Sequence, residues 1–246
     1  MSRKESENMN KSSNCKSFLL VFATVLVFAL PGTLAAGGDD VFTVAGFDSG
    51  KLEEGVPAGW DLVKKGGTED LRLERQGDRY ALRMKSDSES SFGIKKEIEA
   101  GMEEYSFLSW EWKVTRLPVG GDVRDAGKDD QAIQVYVAFE STGWPEKVNT
   151  PMIGYIWDVE CPKNTVVRSP QPLADKVRYI VLRNKSDMLD KWYSEKRNLE
   201  EDYRKLFPDI DGGKPRNIKG FSFYINSQNT KSEAESYIYN VRLSRD

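Results

Sequence analysis

Phe107-Leu-Ser-Trp-Glu-Trp-Lys-Val114 and Ala132-Ile-Gln-Val-Tyr-Val-Ala-Phe-Glu140 decide the fold. In the first stretch Leu108, Trp110, Trp112 and Val114 alternate with Ser109, Glu111 and Lys113; in the second Ile133, Val135, Val137 and Phe139 oppose Gln134, Tyr136 and Glu140. Side chains of a strand point to opposite faces in turn, so a period of two marks strands that bury one face. Leu71–Arg75, Tyr80–Lys85, Ser91–Ile98, Met152–Trp157, Val177–Arg183, Ile218–Asn226 and Tyr237–Leu243 read as further strands. Gln76-Gly77-Asp78, Pro118–Asp122 and Asp211-Gly212-Gly213 supply turn chemistry between them. So many strands without alternating helices predict an all-β fold, an antiparallel jelly-roll-like β-sandwich. One segment has a helical period: Leu189, Trp192, Leu199, Tyr203 and Leu206 recur at spacings of three, four or seven, and Pro208 ends the run. This predicts one inserted α-helix over about 188–207.

Ahead of the strands stand Arg3, Lys4, Lys11 and Lys16, then the thirteen-residue apolar stretch Phe18–Leu30, then Pro31-Gly32 and the small-residue run ending at Ala35. That is the layout of a cleavable signal peptide over 1–35, with Ala36 as the neighbouring cleavage position. The apolar stretch falls short of the roughly 20 residues that a spanning helix needs, so no membrane span is expected after cleavage. The reading implies a periplasmic or secreted protein with one sandwich domain over 36–246, expected to be a monomer. Cleavage would change the net charge from −3 to −5, because the leader carries four basic and two acidic residues. An acidic balance argues against a nucleic-acid partner. Cys15 lies before the apolar stretch, so the mature chain keeps only Cys161, which reads as a small buried hydrophobe.

Histidine is absent from the chain, which removes Ser-His-Asp and Cys-His catalysis and histidine-bound zinc. The loop Gly121–Asp130 packs Asp122, Asp125, Asp129 and Asp130 together, with Arg124 among them. Carboxylates at that density could gather around calcium, although the spacing departs from an EF-hand; an exposed polar loop leading into the next strand is the plainer alternative. No other cofactor is expected. Trp110 and Trp112 fall on the apolar face of their strand and read as core. Trp144, between Gly143 and Pro145, and Trp157, at a strand end before Asp158, are the better platforms for a sugar ring, whose C–H face stacks on aromatics. Glu111 with Glu140, or Tyr136 with Arg168 or Arg178, would be the carboxylate and Tyr/Arg pairs of a polysaccharide-active enzyme.

The strings Leu108–Val114, Arg116-Leu-Pro118, Asp129-Asp130, Val135–Phe139, Tyr155-Ile-Trp157, Val177–Arg183 and Glu195–Tyr203 with Phe207, in that order, resemble a family of exported bacterial proteins with no assigned function. The resemblance runs from about Phe47 to Leu243. It implies a jelly-roll sandwich related in architecture to carbohydrate-binding modules. Members of that family often carry Asp-x-Asp-Asn-Thr where this chain has Asn226-Ser-Gln-Asn229-Thr230, so cation binding through that run would be weaker or lost. The expected function is an exported non-catalytic binding protein for a glycan or another envelope component. The alternatives are a hydrolase or lyase acting on polysaccharide, and a structural envelope protein with a protein partner. The candidate ligand-binding residues are Asp122, Arg124, Asp129, Asp130, Tyr136, Trp144, Trp157, Arg168 and Asn229.

Overall fold

The computed structural model describes residues 40–47 and 50–246; the signal-peptide reading of 1–35 lies outside the described residues. The strands in chain order are β1 (Val41–Ala45), β2 (Leu52–Glu53), β3 (Val56–Pro57), β4 (Asp61–Gly66), β5 (Asp70–Gln76), β6 (Arg79–Ser86), β7 (Ser91–Ala100), β8 (Phe107–Arg116) and β9 (Ile133–Phe139). After the single-turn helix α1 (Glu146–Asn149) come β10 (Met152–Trp157), β11 (Val166–Arg168), β12 (Val177–Arg183) and β13 (Tyr193–Asn198). Helix α2 (Leu199–Leu206), β14 (Ile218–Asn226) and β15 (Ala234–Ser244) complete the chain.

Two sheets form the expected sandwich. One runs β13-β8-β15-β6-β5, with β1 also on β15; the other runs β11-β12-β10-β9-β14-β7-β4. Pairing is antiparallel throughout these sheets except between β10 and β12, which run parallel. The chain makes that crossover through β11, which then pairs antiparallel with β12. The alternating residues pack as their period dictates. Trp110 from one sheet meets Tyr155 from the other with ring centroids 5.2 Å apart, and Trp112 meets Trp157 at 5.8 Å. All four are fully buried or nearly so. Cys161 is buried and free.

The inserted helix is shorter than its sequence period suggests. It begins at Leu199, where the Asn198 side chain accepts the Glu201 N–H as an N-cap. Residues 193–198 form β13 instead, paired to β8 at the sheet edge. Of the inward positions of β13, Tyr193 packs its ring on Trp157, whereas Glu195 and Arg197 are satisfied by polar partners. Glu195 accepts from Trp112 Nε1 at 3.1 Å and from Arg183 Nε at 2.7 Å. A strand that buries ion pairs shows no apolar alternation, and chance spacings of Leu189 and Trp192 supplied the helical period. Helix α2 packs Leu199, Tyr203 and Leu206 on the core, with Tyr203 against Phe139 at 4.9 Å.

Candidate functional site

The outward face of the seven-stranded sheet is built in rows. Directly opposite one another across successive strands stand Asp61, Lys95, Ser222, Tyr136, Gly154, Tyr179 and Val167. A neighbouring row holds Val63, Gly93, Tyr224, Gln134 and Ile156, and another holds Glu97, Gly220, Ala138 and Met152. Glycines inside strands mark close approach of backbones or rings. At Gly154 a Cβ would lie 2.6 Å from the Tyr179 ring and 3.1 Å from the Tyr136 ring, so only glycine lets the two tyrosines close over this strand. Small residues at 138, 220 and 222 keep the neighbouring floor low. The result is a groove of about 1240 Å³, lined among others by Val63, Met152, Gly220 and Ser222.

The walls carry Lys95, Lys147 and Lys219 among Glu97, Glu99, Glu140 and Glu146; the Lys96 ammonium turns to the opposite face, toward the Val44 carbonyl and the Trp60 ring. Lys219 pairs with Glu99 at 2.8 Å, and Lys95 with Glu97 at 3.5 Å. Ser141, Glu146 and Lys147 of the β9–β10 loop reach the groove. Trp144 lies in the same loop, 90% exposed, which is the fate of a ring waiting for something to cover it more than of a folding residue.

Beyond the tyrosines a polar network closes the face. Tyr136 donates to Gln134 Oε1 and stands 3.2 Å from the Tyr179 hydroxyl. Gln134 Nε2 reaches Gln131 Oε1 at 2.7 Å and Asn226 Oδ1 at 2.6 Å. Gln131 Nε2 reaches Asp129 at 3.1 Å and Asp158 at 3.3 Å. Burial raises the pKa of Tyr136, and it pushes Tyr179 up to about 12. Burial also raises both Asp129, against its bonds from Gln171 and Gln131, and Asp158, against three backbone N–H donors.

The residues singled out from sequence divide. Tyr136 faces the site, and Trp144 lies in a loop that lines the groove. Asp129 joins the network, accepting from Gln171 Nε2 at 2.8 Å. Asp130 and Asn229 shape the neighbouring turn. Asp130 accepts the Asn229 N–H at 3.3 Å, the Thr230 N–H at 2.6 Å and the Thr230 hydroxyl at 2.8 Å. Asn226 and Asn229 donate their amides to the Asp129 carbonyl at 2.5 and 3.1 Å, a bond that a carboxylate at either position could not make. Trp157 is a correction: with no exposed surface, between Trp112 and Tyr193, it is core and cannot be a platform. Arg168 is on the edge strand β11, paired with Asp175 at 2.8 Å and Asp209 at 3.3 Å, away from Tyr136.

The acidic loop does not gather its carboxylates. Asp122 grips Arg124 through both oxygens, at 2.8 and 2.7 Å, and this pairing lowers its pKa. Asp125 accepts the Gly127 N–H, while Asp129 and Asp130 serve the partners above. Among the described residues no group of three or more acidic, Cys or His side chains could hold a metal ion. Glu111 and Glu140 belong to different sheets. Arg178, next to Tyr179 on its strand, points to the opposite face, where it pairs with Asp209 at 2.6 Å over the Phe207 ring. Neither pair raised for catalysis is therefore assembled. Sequence reasoning missed Tyr179, Tyr224, Asp158 and the glycine floor; Gly93, Gly154 and Gly220 inside strands were the signal available.

A family model described as "Protein of unknown function (DUF3047)" matches residues 58–242. No curated protein matches the chain by sequence. Among solved structures it is similar to carbohydrate-binding modules of the β-sandwich superfamily, at 13% identity and TM-score 0.45, covering 84% of this chain and 62% of that one. It is also similar to the family 11 carbohydrate-binding module of a cellulosomal cellulase from Clostridium thermocellum, at 10% identity and TM-score 0.43, covering 83% and 94%. A third is the xylan-binding domain of a Paenibacillus barcinonensis protein, at 13% identity and TM-score 0.37, covering 81% and 97%. Among the described residues no helix is long and apolar enough to cross a membrane.

Proposed function

The chain belongs to the DUF3047 family, and from that premise we propose that it is an exported, non-catalytic protein that binds a neutral glycan chain along the outward face of the seven-stranded sheet. The observation that carries the reading is the groove of about 1240 Å³ whose walls mix lysines with glutamates and whose β9–β10 loop bears the 90% exposed Trp144. A mixed set of long charged side chains can hydrogen-bond sugar hydroxyls both as donor and as acceptor. Trp144 would supply the flat apolar surface on which the C–H face of a sugar ring stacks. The low floor at Ala138, Gly220 and Ser222 leaves room for successive rings rather than one deeply enclosed ligand. One sandwich domain over 36–246, acting as a monomer outside the cytoplasm, is part of the proposal.

Affinity electrophoresis of the protein through mixed-linked β-glucan, xylan, galactan and an anionic control polysaccharide tests it. Retardation by a neutral polysaccharide, weakened about tenfold by Trp144→Ala without change in melting temperature, is the expected result. Retardation by the anionic polymer alone, or none by any, would refute the neutral-glycan reading. Release of reducing sugar from any of them would favour the enzyme alternative.

A further inference from the structure

The loop that carries Trp144 is held by hydrogen bonds rather than by packing, since no residue from 141 to 150 is buried. Thr142 closes the loop on Asn149, whose carbonyl accepts both the Thr142 N–H and the Thr142 hydroxyl at 2.9 Å. Inside it the Pro145 carbonyl accepts the Val148 N–H at 3.2 Å and the Asn149 amide at 3.0 Å, so the residue after Trp144 is tied down. These bonds give the loop its shape. They do not fix where it stands against the groove.

The segment before β14 does that. Arg216 Nη1 donates to the Ser141 carbonyl at 3.0 Å, at the first residue of the loop. Asn217 grips the residue before it: the Asn217 carbonyl accepts the Glu140 N–H at 2.9 Å, and its Nδ2 donates to Glu140 Oε1 at 3.3 Å. Through Nη2 the Arg216 guanidinium also pairs with Asp211. Asp211 follows the buried residues Phe207 and Ile210, in a turn closed by bonds from the Ile210 N–H to the Phe207 carbonyl at 3.0 Å and from the Gly213 N–H to the Ile210 carbonyl at 2.8 Å. Arg216 therefore strings the exposed loop to a turn that is rooted in the core. A loop that had to be ordered by its ligand would bind more weakly, because ordering costs free energy at the moment of binding.

We infer that Arg216 is a positioning residue of the glycan site, holding the β9–β10 loop against the groove so that Trp144 is in place before a sugar ring arrives. This rests on the groove reading above. Arg216 does not line the groove, so its effect on binding passes through Trp144.

A double-mutant cycle separates that role from a merely structural one. Affinity electrophoresis through mixed-linked β-glucan, xylan and galactan would compare the natural protein with Arg216→Met, Trp144→Ala and the double variant. For a polysaccharide that retards the natural protein, Arg216→Met should weaken binding about three- to tenfold. It should cost no further affinity in the Trp144→Ala background, although it lowers the melting temperature equally in both. Arg216→Lys, which keeps a donor for the Ser141 carbonyl, should recover part of the loss. A second measurement needs no ligand: trypsin cleavage after the exposed Lys147, followed by mass spectrometry, should quicken several-fold in Arg216→Met. Undiminished affinity in Arg216→Met, an equal loss of affinity in both backgrounds, or unchanged cleavage after Lys147 overturns this inference alone. Trp144→Ala binding as tightly as the natural protein, or no retardation by any of the three polysaccharides, counts against the groove reading itself, and against the inference with it.

Discussion

Gly154→Ala places one methyl group under the two tyrosines that close the site. Its Cβ would lie 2.6 and 2.9 Å from two Tyr179 ring atoms and 3.1 Å from Tyr136, against an optimum of about 3.5–4.0 Å between carbons. The Tyr179 ring would have to retreat by about 1 Å, given that optimum. It is only 4% exposed and packs with Val123, Ile156, Cys161 and Val181, so little room exists. Overpacking of this kind costs about 1–3 kcal/mol. At about 2–4 °C per kcal/mol for a domain of this size, the melting temperature should fall by roughly 3–10 °C. The same displacement opens the 3.2 Å hydroxyl contact between Tyr136 and Tyr179, so affinity for a bound neutral oligosaccharide should fall as well. Scanning calorimetry and titration calorimetry on the same preparations read both effects. Gly143→Ala is the control, since a Cβ there meets nothing within 4 Å. A Gly154→Ala protein melting within about 1 °C of the natural chain, with undiminished affinity, would refute the reasoning.

Trp157→Ala should cost about 3–5 kcal/mol in denaturant unfolding, because it empties a fully buried indole site between Trp112 and Tyr193; a folded, stable variant with lost binding would restore Trp157 as a platform. Asp209 is held below the usual carboxylate range chiefly by its bonds from Arg178, at 2.6 and 2.7 Å. Its folded pKa is depressed, so its contribution to stability is complete above the unfolded value of about 3.9 and is lost as pH falls through the folded one. The melting temperature of Asp209→Asn should therefore lie below that of the natural chain near neutrality and converge with it in acid; a gap that widens in acid would contradict this. Chelation should leave the melting temperature unchanged, since the loop acids serve separate partners, whereas Asp130→Ala should cost about 1–3 kcal/mol by stripping acceptors from Asn229 and Thr230. A calcium-dependent rise in melting temperature would reinstate a metal site.

Strands that bury one apolar face were legible in the sequence: β8 and β9 carry their period of two into Trp110, Trp112, Val135 and Val137, all core. The edge strands β4 and β13 were not, although the edge strand β5 was read as Leu71–Arg75. β4, Asp-Leu-Val-Lys-Lys-Gly, and β13, Tyr-Ser-Glu-Lys-Arg-Asn, carry the charges that keep sheet edges from pairing with other chains, and those charges erase the alternation. The parallel pairing of β10 and β12 was invisible because alternation says which face a residue takes and nothing about its neighbour strand. At the site, Tyr136 was readable as an outward aromatic on a strong strand. Tyr179 was hidden inside the apolar run of β12, which is covered on both faces. Trp157 misled because a tryptophan at a strand end before Asp158 looks like a rim residue, whereas Asp158 is itself drawn inside by three backbone N–H donors.

The central claim is that ligand lies on the outward face of the seven-stranded sheet. Backbone amide NMR of the protein during titration with whichever neutral polysaccharide fragment retards it most locates the bound chain residue by residue. The account predicts shifts at Lys95, Ala138, Met152, Gly220 and Ser222, extending to Trp144 and Tyr136. Shifts confined to the six-stranded sheet, around Lys113, Trp192 and Tyr237, would contradict it.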